Sequence, residues 1–198
     1  MNPRREAAFA WVEVLVALFV LGTLVLLISP GFQGGCMVKG VETQMLSNMR
    51  QLHLATISME LDRSTSGDAK IGGWPGDTGG TFTNWARQLV PTYLSTNDFC
   101  KLLSSPGKIV PPDALPAAMS ESAVLIYAVS TNSPDTAVFL SSAHFTNSPN
   151  GGAPLDKSAK PFGNKNFVVF RKGGDGSILL PKQVGMTNII GSYVPLLK

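Results

Sequence analysis

The chain is 198 residues long and carries a net charge of +3, with 16 Lys and Arg, 13 Asp and Glu, and two cysteines. That length holds one modest domain beyond an appended segment and excludes two comfortable ones. Two cysteines exclude a disulfide-dense scaffold and a four-cysteine zinc site. Basic residues after Gln33 are scattered, adjacent only at Arg171-Lys172, so no nucleic-acid partner is expected.

Met1–Ala8 sets Arg4 and Arg5 against Glu6, and Phe9–Phe32 follows as a long apolar run with one charge, Glu13. As a helix this run would extend about 36 Å, against a hydrocarbon core of about 30 Å. It therefore reads as a membrane-crossing segment, with the basic leader cytoplasmic and everything after Phe32 on the far side. The run is too long for a secretory signal, and its small residues, Ala7-Ala8, precede it. Gln33, three residues before Cys36, does not suit a lipoprotein signal. A carboxylate at membrane depth costs at least about 2.5 kcal/mol on insertion scales. Glu13 is then either a register device for helix packing, stable only when matched by a partner charge, or a residue reaching back to the interface.

Ala8-Phe9-Ala10-Trp11-Val12-Glu13-Val14-Leu15-Val16-Ala17-Leu18 resembles the cleavage and methylation motif of type IV pilins and type II secretion pseudopilins. Ala8 stands where that family usually has Gly, and Ala10-Trp11 where it commonly has Thr-Leu. The resemblance implies that a prepilin peptidase cuts between Ala8 and Phe9 and that Phe9 is then N-methylated. The new ammonium of Phe9 would meet Glu13 of a neighbouring helix. Gly22 and Pro30 fall where the family often has a Gly and a Pro, and are the expected kinks. The implied plan is a leader over 1–8, a transmembrane and assembly helix over 9–32, and a periplasmic pilin-like head over 33–198. The chain would be single-pass in the bacterial inner membrane before assembly. Its implied partners are other pilin-like subunits, the peptidase and an inner-membrane assembly platform.

Pro30-Gly31 should end or kink the apolar helix, with Gly34-Gly35 as a flexible patch after it. Met37–Asp62 then has the spacing of an amphipathic helix. Met37, Val41, Met45, Met49, Leu52 and Leu61 lie on its apolar side, and Lys39, Glu42, Gln44, Arg50, Gln51 and Glu60 on its polar side. Ser64–Gly80 reads as loop. Its glycines lack the GxxxxGK[ST] pattern of a phosphate loop. Thr83-Asn84 is expected to cap a short helix over Trp85–Tyr93, and Thr96-Asn97-Asp98 to start another through Leu103. Lys108–Pro116, with its prolines, reads as a surface connector.

Strands are expected over Ala123–Ser130 and Thr136–Ser141, joined by Thr131–Asp135, and over Asn166–Lys172 and Ser177–Leu180, joined by the turn Gly173-Gly174-Asp175-Gly176. The fold class is thus α+β. A long N-terminal helix, half transmembrane and half amphipathic, packs on a small antiparallel sheet, and Val184–Lys198 closes that sheet or lies on a neighbour.

No catalytic constellation emerges. His53 and His144 have no metal-ligand spacing, no Gly-x-Ser-x-Gly elbow is present, and the carboxylates are dispersed. His53 reads as a surface or interface residue. Asp156 and Asp175 read as solvated turn residues, not calcium ligands. Cys36 and Cys100 either pair in an oxidising compartment or stand as isolated thiols. The expected function is a structural filament subunit with no enzymatic activity, cofactor or metal. The alternative is a membrane-anchored periplasmic binding module in which Trp74, Trp85 and Tyr93 stack on a sugar.

Overall fold

The computed structural model describes residues 11, 13–23, 30–68, 71–112, 115–159, 162–163 and 165–198, without the side chains of 30–38. The chain divides into two compact units, Met1–Gly40 and Val41–Lys198. Residues 11 and 13–23 are helical, and helix α1 spans Pro30–Ser66, 37 residues. Gly34 and Gly35 lie inside that helix, so the flexible patch expected there is corrected, while the junction before Pro30, where a break or kink was expected, lies outside the described residues.

Two larger expectations also fall. No helix among the described residues is long and apolar enough to cross a membrane. Helix α1 has the length, but Lys39, Glu42, Arg50, Glu60, Asp62 and Arg63 make it far too polar. The transmembrane half of the expected fold and the single-pass inner-membrane location both lose their support.

What stands is an α+β unit with a four-stranded antiparallel sheet. Its strands are β1 (Val124–Ile126), β2 (Val138–Ser142), β3 (Phe167–Arg171) and β4 (Gly176–Leu179), paired in sequence order. Successive side chains on a strand point to opposite faces, yet every residue of β2 and the first four of β3 are buried. Both faces of the central strands are therefore covered. On α1, Met45, Met49, Leu52 and Met59 are buried, and the His53 ring lies 5.2 Å from Phe170 and 6.1 Å from Phe139.

Helices α2 (Phe82–Leu89) and α3 (Thr96–Leu103) bury Phe82, Trp85, Leu89, Phe99 and Leu103 in the same core. Thr81 caps α2, its hydroxyl accepting from the Asn84 amide at 3.4 Å, two residues before the expected cap. Ser95 caps α3 in the same way at 3.1 Å. The C-terminal segment, with helix α4 (Thr187–Ile190), runs along β1: the Leu197 amide donates to the Ile126 carbonyl at 3.0 Å, and the Ala128 amide to that of Pro195 at 2.9 Å. It thus covers an edge that would otherwise expose unpaired backbone. Arg171 ties β3 to α4 by donating to the carbonyls of Ile189 and Ile190, and it pairs with Asp175 across the turn. Inside, the Tyr127 hydroxyl accepts from the Asn147 amide at 2.8 Å and shares a hydrogen bond with Ser141. Burial pushes this phenol up to about 12, so it stays neutral.

Candidate functional site

Of the residues singled out for processing and assembly, Ala8 and Phe9 lie outside the described residues. Pro30 is helical, but its side chain lies outside the described ones. Glu13 and Gly22 are both on the helical run and exposed, and nothing approaches within 4 Å of where a Gly22 side chain would sit. Around Glu13, Trp11, Val14, Leu15, Val16, Leu18, Phe19, Val20 and Leu21 are 54–74% exposed. Burying one such side chain is worth about 1.5–3 kcal/mol, so this run has a strong tendency to find a cover.

The second unit presents another apolar face. Leu54, Ile57 and Leu61 are exposed on α1 at spacings of three and four, a single line down the helix. Leu61 was expected on the core side and lies on this outer one. Glu42, expected on the polar face, is instead 3% exposed. The signal for the outer line was present in the sequence, since Leu54 and Ile57 fit no position of the core stripe.

Behind that line, polar groups clamp α1 to the head. Arg63 donates to Glu60 at 2.7 Å and to the Thr131 hydroxyl at 2.6 Å. The Thr131 amide and hydroxyl both donate to Asp77, at 2.8 and 2.7 Å. Thr131 thereby links the helix, the 3-10 turn Pro75–Asp77 and the β1–β2 connection. The turn itself needs Gly76: a side-chain carbon there would stand 2.5 Å from the Ala128 carbonyl oxygen, and the Gly76 amide donates to Val129 at 2.7 Å. Lys172 donates to the carbonyls of Thr131 and Ser133, both at 2.6 Å, with its ammonium 5.6 Å from the Trp74 ring centre. Neither Arg63 nor Thr131 was marked by a sequence motif.

The chemistry-bearing residues lie apart from one another, in the core or in turns. His53 is buried, not at the surface: its Nε2–H donates to the Lys172 carbonyl at 2.7 Å, and burial lowers its pKa against that bond. His144 is buried beside Phe162, 5.3 Å between ring centres. Burial lowers its pKa too, while the backbone of Asn166 and Lys165 and the charge of Asp156 pull the other way. Asp156 binds the hydroxyl and amide of Ser158, which lowers its pKa, and Asp175 pairs with Arg171. Among the described residues, no three or more His, Cys, Asp or Glu form a metal-binding group. Cys100 is buried on α3, while the side chain of Cys36 lies outside the described ones. The sugar-stacking platform is also lost, because Trp74 and Trp85 are core residues, 3% and 0% exposed. Tyr93 donates its hydroxyl to Asp62 at 2.9 Å.

No family model, no curated protein and no solved structure matches this chain.

Proposed function

We propose that the chain is a structural subunit that polymerises through its helices into a filament of the type II secretion pseudopilus or type IV pilus class. The observation that supports this reading is the exposed apolar helical run bearing a single carboxylate, Glu13. The exposed line Leu54–Ile57–Leu61 adds a second face suited to subunit contact. The motif at Ala8–Leu18 adds a route to activation. Cleavage between Ala8 and Phe9 would create an ammonium, which a neighbour's Glu13 matches once the two helices are in register. A matched buried pair is tolerated, whereas one left without its partner costs about 3–5 kcal/mol, so the charge selects register while the apolar surface supplies affinity. The reading rests on self-association and needs no membrane crossing.

Glu13→Ala tests it. The variant should fold as the parent does, yet lose sedimentable filaments when co-expressed with a prepilin peptidase. Normal assembly of Glu13→Ala would sink the register role.

A further inference from the structure

Between β2 and β3 the chain makes a long crossing, and residues 147–159 lie there as a strap of turns on the second unit. Main-chain bonds attach it. The Asn147 amide donates to the Tyr127 hydroxyl at 2.8 Å, the Ala153 amide to the Thr146 carbonyl and the Asp156 amide to the His144 carbonyl, both at 2.9 Å. At its tip the Gly185 amide donates to the Gly151 carbonyl at 2.8 Å, and a side-chain carbon on Gly151 would stand 2.7 Å from the Gly185 carbonyl carbon. His144, which the strap contacts, is 2% exposed, and neither ring nitrogen has a hydrogen-bond partner among the described residues. A neutral imidazole carries one N–H donor, so burying it without a partner is a cost that an apolar side chain would avoid. We propose that His144 is a proton-operated latch: protonating its ring releases the 147–159 strap from a head that stays folded.

The surroundings of the ring set the direction. The strap brings the charge of Asp156, and the residues leading into β3 bring the Phe162 ring and the backbone of Lys165 and Asn166. Ser142 and Ala143, just before it in the chain, carry no charge, and the lysines 157 and 165 are exposed. Asp156 is exposed too, and its bonds to Ser158 lower its pKa, so it stays ionised while the histidine titrates and adds no switch of its own. Its pull on the ring is outweighed by burial, the leading influence there. An imidazolium has two N–H donors to satisfy; the closed strap leaves both unpartnered, and the open one gives them water. The open form therefore binds the proton more tightly. Below the ordinary value of 6.5 its population rises, by up to about tenfold per pH unit, until the closed ring titrates as well. Movement of His144 acts directly on the strap, because its own carbonyl holds the Asp156 amide. The latch lies on the second unit and holds whether or not the chain polymerises.

The test is residue-resolved amide hydrogen exchange of the full-length chain between pH 7.5 and pH 5.5, each rate divided by its intrinsic value at that pH. The amides of Ala153, Asp156 and Gly185 report the strap, and those of β3, paired on both sides, report the sheet. Strap protection should stay below that of β3 throughout and fall about five- to tenfold over this range. The chain has two histidines, so the variants separate them. His53→Gln should leave the strap's pH response intact, whereas His144→Leu and His144→Gln should each abolish it; the second covers the case in which the first disturbs the core. The parent's His144 ring resonances, followed by NMR, should titrate below 6.5. The proposal is overturned if the strap and β3 exchange together, if the strap's response survives in either His144 variant, or if the ring titrates at 6.5 or above.

Discussion

The two sides of α1 in the second unit are made of similar residues and live in opposite environments. Met45, Met49, Leu52 and Met59 face the head and are no more than 2% exposed; Leu54, Ile57 and Leu61, on the same turns, are 57%, 39% and 62% exposed. A helix that only had to cover a sheet would need one apolar stripe, with charge opposite. The second stripe adds little to the packing of the head. The inner side is also pinned by direction-specific contacts, the His53 bond to Lys172 and the Thr131 clamp, which the outer side lacks among the described residues.

The largest effect should come from breaking the inner side. Met49 is fully buried, and Met49→Ala removes its packing and leaves a cavity that a central position cannot collapse. A loss of about 2–5 kcal/mol is expected, read from urea unfolding of the full chain. A loss below about 1 kcal/mol would mean that the helix is not seated as described.

Acid should act on the same side. Burial, the leading influence at both His53 and His144, lowers each pKa from 6.5 in the unfolded chain. The unfolded state therefore binds more protons as the pH falls below 6.5, and stability drops from there until the lowered folded values are reached. Well above pH 6.5 both imidazoles are neutral in either state and contribute no slope. Urea midpoints between pH 8 and about pH 5 should be flat at first and then fall. His53→Gln should flatten part of that fall, because the uncharged amide can still donate to the Lys172 carbonyl. A profile unchanged by that substitution would remove His53 from the inner side's energetics.

How much of this was legible depended on whether the deciding contact was local. The β3–β4 hairpin was readable, because Phe167–Arg171 is a short apolar run and Gly173-Gly174-Asp175-Gly176 is a turn signal that acts within a few residues. Helix α2 was placed a few residues late, since both Thr81 and Thr83 suit a cap and only the burial of Phe82 decides between them. His53 was read as a surface or interface residue and Glu42 as a polar-face one, and Trp74 and Trp85 entered only as sugar-stacking residues of the alternative, because their burial depends on chain segments far away in sequence. The same applies to Thr131, whose partners Glu60, Arg63 and Asp77 are 54–71 residues distant. As for the candidate site, Glu13 was visible as a lone charge in an apolar run. Leu54 and Ile57 were hidden by fitting a single amphipathic stripe to a helix that has two.

The smallest effect on stability, and the sharpest test of the comparison, belongs to the outer side. Leu54→Ser, Ile57→Ser and Leu61→Ser each remove apolar surface that already faces water, so little transfer free energy is lost on substitution. Each should change unfolding by no more than about 0.5 kcal/mol, with the lower helix propensity of Ser as the main cost. Combined, they should leave the monomer folded and reduce the sedimentable fraction at a fixed concentration, in parallel with Glu13→Ala. If the triple variant loses several kcal/mol, the outer stripe is packed in the monomer and the two sides of α1 are equivalent. If stability holds and assembly is untouched, the stripe is not a subunit contact, and Glu13 with its apolar neighbours carries the association alone.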